Sequence, residues 1–364
     1  MEISEELVQN SENQERLTLS QLDLLGEVKI PTGTVFTQTD EAGETASQTE
    51  IGGLSGLAYD SASGHYYALS DDRSSDARFY TLDIDLSEGV LSEGGVEFKD
   101  VTFLLDKEGN RSADGALDPE GLALTEDGTL YVSSEGDANQ LISPFIREIE
   151  LDGSFVSELF IPEIYQPTAD QSSGIRNNLA FENLTITPDK RFLYTATENA
   201  LFQDGPNADV DQPSLSRILK YDLATGEAVA SYVYEVEAVP EAPEPADAFR
   251  TNGLVELLAT DNNGTLLALE RGFSVGQGNT VKLFEIQTQG ALDVLNTGDL
   301  FREEPFEDDG DVLAPGPFVI DPAVTKREIL DVELDLGIEP DNLEALAFGP
   351  KLPDGRLSLI IASD

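Results

Sequence analysis

Five stretches of this chain repeat one two-strand phrase, and each places acidic residues at the same two points. The first strands open as Ser55-Gly-Leu-Ala-Tyr, Glu120-Gly-Leu-Ala-Leu, Glu182-Asn-Leu-Thr-Ile, Glu256-Leu-Leu-Ala-Thr and Glu344-Ala-Leu-Ala-Phe. The second strands close on Asp71, Glu135, Glu198, Glu270 and Asp364. In an antiparallel hairpin the start of one strand and the end of the next lie side by side. Five such hairpins about one axis gather nine carboxylates and one serine hydroxyl around one mouth.

The spacing between the phrases predicts the rest of each repeat. In the second, β patterns run over 121–125, 130–135, 145–151 and 155–161, with turn signals such as Asp127-Gly128 between them. The fold expected is all-β, a β-propeller of four-stranded antiparallel blades. Five blades are legible and a sixth has room. The last repeat stops after two strands, so the chain is read as C-terminally truncated. Residues 22–30 are the candidate N-terminal strand that closes the ring. Residues 1–15 are read as a mobile acidic tail and 16–364 as one propeller domain. Insertions at 199–216, 235–250 and 301–322 are read as rim loops.

Charge narrows the partners. Against 21 basic residues stand 71 acidic ones, a net charge of −50. Such a surface repels nucleic acid and anionic lipid, and no apolar run approaches the roughly 20 residues of a membrane helix. Much of the excess is also what a solubility or high-salt adaptation produces. Cysteine is absent, which excludes disulfides and thiolate chemistry. The first residues, Met-Glu-Ile-Ser-Glu-Glu, lack the basic and apolar regions of a signal peptide.

Clustered carboxylates are costly unless a cation sits among them, and calcium accepts six to eight oxygen ligands in irregular geometry. The candidate ligands are Glu120, Glu182, Glu256, Glu344, Asp71, Glu135, Glu198 and Glu270, with Asn183 and Asn342 adding neutral oxygens. Turn caps or salt bridges to arginine are the alternative roles for these acids. Arg176 and Arg271 are the basic residues placed to meet an anion, though each could equally serve a local ion pair. His65, the one histidine, falls in a hairpin turn, so a Ser-His-Asp triad is not expected. Neither a phosphate loop nor EF-hand spacing occurs. Hydrolysis, if any, would use a metal-bound water.

Several phrases resemble a known group: Asp118-Pro-Glu-Gly-Leu-Ala, Arg176-Asn-Asn-Leu-Ala-Phe-Glu-Asn-Leu, Glu198-Asn-Ala-Leu, Leu269-Glu-Arg-Gly-Phe and Asn342-Leu-Glu-Ala-Leu-Ala-Phe-Gly-Pro. They look like the phytase-like family, described by an esterase-like activity of phytase, over roughly residues 50–364. That group is similar to the calcium-dependent β-propeller phytases. The resemblance implies Ca2+ as cofactor, an extracellular or periplasmic location, and metal or catalytic roles for Glu120, Glu182, Glu198, Glu270 and Glu344. Asn183 and Ala345 depart from it, standing where glycine is common after the glutamate.

Three functions follow as expectations. The first is a calcium-dependent hydrolase of phosphoric esters, phytate-like or diester, with Glu120, Glu182, Arg176 and Arg271 in catalytic roles. The second is a lactonase- or paraoxonase-like ester hydrolase, and the third a non-catalytic, calcium-stabilised binding propeller. Fold alone does not choose among them.

Overall fold

A computed structural model describes residues 22–39, 42–302, 306–308, 311–313, 316–317 and 322–363. The expected tail and Asp364 lie outside the described residues. A hairpin, β1 (Val35–Thr39) with β2 (Thr45–Glu50), precedes the repeats. Blade one is β3 (Leu54–Tyr59), β4 (Tyr66–Ser70), β5 (Arg78–Ile84) and β6 (Val96–Phe103). Blade two is β7 (Pro119–Leu124), β8 (Leu130–Ser134), β9 (Phe145–Ile149) and β10 (Phe155–Glu158). Blade three is β11 (Thr185–Ile186), β12 (Phe192–Ala196), β13 (Ser214–Asp222) and β14 (Glu227–Val236).

Blade four begins with β15 (Arg250–Ala259), β16 (Thr265–Ser274) and β17 (Gly278–Gln287). The chain then leaves through short pairings, β18 (Phe301–Arg302) with β21 (Gly316–Pro317) and β19 (Phe306–Asp308) with β20 (Asp311–Leu313). It returns as the fourth strand, β22 (Thr325–Asp331), followed by one short helix, α1 (Val332–Leu336). Blade five is β23 (Leu343–Lys351) with β24 (Leu357–Ser363).

The innermost strands close a ring: β3 packs on β7, β7 on β11, β11 on β15, β15 on β23, and β23 on β3. Apolar residues fill each seam, because a blade has two faces and only its neighbours can cover them. Leu69 and Phe79 meet Leu122 and Val132 between blades one and two. Leu54 and Tyr66 meet Ala345 and Ala347 between blades one and five, which closes the circle.

Residues 22–30 do not form the closing strand. Leu22 packs on the blade four–five cluster and Asp23 pairs with Arg356, but the backbone contact of this segment runs from Leu91 N–H to Leu25 O. At Gly26 the chain passes so close to the Leu91 carbonyl that no side chain fits.

Candidate metal centre at the propeller mouth

Register decides which acids reach the mouth. In blade one Leu54 pairs with Ser70 and Gly56 with Leu69, so Ser55 is bulged. Glu344 is bulged the same way between Leu343 and Ala345. Glu120 lies in the bulge between Pro119 and Leu122, and Glu182 follows the Phe181–Thr197 bridge. A bulge turns its extra residue out of the ladder and re-aims its side chain. The next rung fixes the second ring: Asp71, Glu135 and Glu198 N–H groups donate to Gly53, Asp118 and Ala180 carbonyls at 2.8, 3.0 and 2.7 Å.

Blade four is out of phase with the sequence repeat. Leu254 pairs with Glu270 and Glu256 with Leu269, so Val255 is the bulged residue. Gly253 pairs with Arg271, and the strand-end position filled elsewhere by an acid is therefore filled by Arg271. Glu256 falls one rung deeper, in the column of Gly56, Gly121, Asn183 and Ala345. There it accepts the Leu257 N–H at 2.8 Å and draws on the backbone N–H groups of Leu184 and Leu346. Glu270 faces blade three, bonded to Tyr234 Oη, Asn252 Nδ2 and Lys326 Nζ. Neither glutamate joins the mouth cluster.

Asn183 and Arg176 also sit apart. Asn183 accepts the Ala196 N–H at 2.7 Å and donates to Leu254 O at 3.2 Å, stitching blade three to blade four. Arg176 donates to Ala200 O and Gly205 O at 2.9 and 2.6 Å and stacks on Phe202, which orders the loop after Glu198. The Ser55 hydroxyl donates to Glu120 O at 2.9 Å. His65 pairs with Asp83 at the far end of blade one.

What the mouth does gather is Asp71, Asp118, Glu120, Glu135, Glu182, Glu198 and Glu344, with Arg271 and Arg73 as cations. One carboxylate oxygen each from Asp118, Glu120 and Glu135 lies within 4.8 Å of the others, and all three side chains are buried. Glu135 Oε1 accepts the Ala180 N–H, while Oε2 has no hydrogen-bond donor. Arg271 Nη2 lies 2.8 Å from Glu344 Oε1, and its buried Nε has no acceptor. Asn342 Nδ2 donates to the same Glu344 oxygen at 3.0 Å. Arg73, half exposed, places Nε 2.7 Å from Asp118 Oδ1 and Nη2 against Asn178 Oδ1.

Burial first, then mutual repulsion, pushes the Glu120, Glu135 and Glu182 carboxyls far above the usual range. Burial raises Glu198 to about 7, moderated by Arg271. Asp118 is raised by burial, with Arg73 opposing. Burial and the crowding of carboxyls both favour their neutral forms here. A hard divalent cation on Asp118, Glu120 and Glu135 fits this donor set, since it takes carboxylate oxygens and Glu135 Oε2 lacks any other partner.

Asp118 was not among the candidate ligands expected here. Asp118 occupies the column that reads Gly53, Ala180, Gly253 and Asn342 in the other blades, so no repeated chemistry marked it. Its place two residues before Glu120 on an inner strand was the available signal.

A family model described as phytase-like, esterase-like activity of phytase, matches residues 49–364. A protein of Arthroderma benhamiae, named only as an uncharacterized secreted protein, is 28% identical over 222 residues. That alignment covers 54% of this chain and 43% of the relative, so the chain spans less than half of that protein's length. Among solved structures, an endo-arabinase from Bacteroides thetaiotaomicron aligns at 13% identity and TM-score 0.41, covering 84% of this chain and 87% of that one. The Dos1 propeller aligns at 8% identity and TM-score 0.36, covering 90% and 71%. Among the described residues no helix is long and apolar enough to cross a membrane.

Proposed function

The chain belongs to the phytase-like family, and from that premise we propose that it is a calcium-dependent hydrolase of phosphoric esters acting at the propeller mouth. One observation carries the reading. The buried side chains of the mouth include an acceptor without a donor, Glu135 Oε2, and a donor without an acceptor, Arg271 Nε. A cation answers the first and an anionic oxygen the second, which is the pair of charges a metal-bound phosphoryl group presents.

Asp118, Glu120 and Glu135 would hold the cation. Bound there, Ca2+ would supply a Lewis acid for the phosphoryl group and lower the pKa of a coordinated water. Arg271, fixed by Glu344, offers Nε to a phosphoryl oxygen and favours the charge that develops on it. Glu198, poised near neutrality, accepts a proton from water and returns it to the leaving alcohol. Arg73 guards the entrance against Asp118. An extracellular location is part of the proposal and is supported by the relative's name.

The test is release of alcohol or phosphate from a panel of phosphate mono- and diesters, with calcium and with chelator. Turnover should require calcium and disappear in the Glu120→Gln/Glu135→Gln variant. Turnover indifferent to both overturns the assignment. If calcium raises Tm and no ester is cleaved, the propeller is a binding module.

A further inference from the structure

The inner hairpin of blade four continues beyond the ring. Past the Gly253–Arg271 rung, Asn252 pairs with Gly272, Thr251 with Phe273 and Arg250 with Ser274. One step further, Val275 N–H donates to Phe249 O at 3.0 Å. The equivalent ladders of blades one and two end on Asp71 and Glu135, at the ring itself, and that of blade three ends one residue past Glu198, where Asn199 N–H donates to Leu179 O at 3.4 Å. Blade four thus stands about 13 Å above the mouth, four residues at the rise of a strand.

Strand alternation gives this extension two faces. One carries Arg250, Asn252 and Ser274, and each is tied down. Arg250 forks onto Asp209 at 2.6 and 2.9 Å, Asn252 Nδ2 donates to Glu237 O at 2.9 Å, and Ser274 Oγ donates to Glu241 O. The other face carries Arg271, Phe273 and Val275 on one strand, opposite Thr251 and Phe249. The Phe249 and Phe273 rings lie 6.1 Å apart at 36°. Phe249 is 65% exposed, and neither ring nor Val275 joins a core cluster of the described residues. The polar face is satisfied, whereas on the apolar face Phe249 is exposed and Phe273 and Val275 are half-buried. An exposed aromatic ring paired with a second ring on the strand face that carries Arg271 offers an apolar contact to whatever the site takes in.

We propose that Phe249, Phe273 and Val275 form a specificity platform for the organic group of the substrate, which is therefore a phosphoric ester of an apolar, ring-bearing alcohol rather than a polyphosphorylated one. This rests on the function proposed above. Arg271 lies on the platform face two residues below Phe273, so a phosphoryl oxygen at Arg271 Nε directs its ester group along the two rings. A polyanion would set its further phosphates against phenyl rings and in the field of a chain with net charge −50. Phenyl rings at this distance receive an apolar or aromatic group by stacking and area burial.

The experiment compares phenylphosphonate with methylphosphonate, by calorimetry on the calcium-loaded protein, alongside turnover of the ester panel. Wild type should bind the phenyl compound at least about tenfold more tightly, the scale of discrimination an apolar contact supplies. The Phe249→Ala/Phe273→Ala variant should bind both about equally, with methylphosphonate affinity and Tm close to wild type because the rings are not part of the core. Equal affinities in wild type, or a preference that survives the double variant, overturns the platform. Calcium-dependent turnover without phenyl preference sinks the platform alone. Absence of both turnover and phosphonate binding sinks the proposed function and the platform with it.

Discussion

Arg271 Nη2 lies 2.8 Å from Glu344 Oε1, an ion pair that crosses the seam between blades four and five. The arginine stands where blades one, two and three place Asp71, Glu135 and Glu198, so the acidic repetition is broken once, by the opposite charge. The mouth is polar in consequence. Asp118, Glu120 and Glu135 concentrate negative charge on blade two, and the blade four side offers a guanidinium held among carboxylates. Burial alone would weaken its proton affinity, but Glu344, Glu198, Glu182 and Glu120 together raise it. It stays charged.

Arg271→Gln removes that charge without removing the ring. Breaking a buried pair costs about 3–5 kcal/mol, so the metal-free variant should melt well below wild type. Calcium should bind more tightly, because one repelling charge is gone, while the affinity of the calcium-loaded protein for inorganic phosphate should fall at least about tenfold. Calorimetric titration with each ion checks both. Phosphate affinity that stays put would show that the guanidinium only neutralises its neighbours.

Glu270 and Glu120 look equivalent in the sequence and should behave differently. Glu270→Gln loosens the buried contacts with Lys326 and Tyr234 and should cost about 3 kcal/mol of stability, with calcium affinity and turnover of the folded fraction unchanged within about twofold. Glu120→Gln should weaken calcium binding and leave the metal-free protein as stable or more so, since a repelled carboxylate is removed. Denaturant unfolding paired with calcium titration separates them. A loss of calcium affinity in Glu270→Gln would restore the unshifted alignment of blade four.

The repeat was legible because a bulge and a strand end recur at fixed distances; blades one, two and three obey both, and blade five obeys the bulge at Glu344. Blade four escaped because Leu254-Val255-Glu256-Leu257-Leu258-Ala259 is apolar on both faces, and a period of two then has no phase to read. Its register is set at a distance instead, by Tyr234, Lys326 and Asn252 closing on Glu270. Asp118 escaped for a different reason, since its chemistry occurs in one blade only. The segment at 22–30 has apolar residues enough for a strand, but the backbone hydrogen bond it makes is with Leu91, in the turn between β5 and β6, and not with a strand.

Titration of the mouth gives a stability curve with a defined sign. A carboxyl raised in the folded state binds more protons folded than unfolded, so stability is highest below the unfolded pKa and falls as pH rises through the folded one. For Glu198 that window runs from 4.5 to about 7, and Glu120, Glu135 and Glu182 extend it upward. Metal-free protein should therefore lose Tm steadily from pH 5 to 8. Calcium should cancel most of the loss, so the Tm difference between calcium and chelator widens with pH. A gap that is constant across this range would mean that the cation binds away from these acids.

Two glycines on inner strands allow a sharper division between chemistry and packing. A Cβ on Gly253 would fall inside the Glu198 carboxylate, and that side chain can move. Gly253→Ala should therefore fold, displace Glu198 and reduce turnover by about 100-fold, the cost of misplacing a reacting group by an ångström. Calcium affinity should hold, because Asp118, Glu120 and Glu135 are untouched. A Cβ on Gly121 would lie 2.7 Å from Asn183 C and Leu184 N, backbone of the next blade that has nowhere to go. Gly121→Ala should instead separate blades two and three, lowering Tm and the yield of folded protein by an overpacking cost of about 1–3 kcal/mol. Assaying both variants for turnover, calcium binding and Tm tests whether Glu198 acts on the substrate. If Gly253→Ala keeps full turnover, the proton-transfer role passes to another residue of the mouth, with Glu182 the nearest in environment.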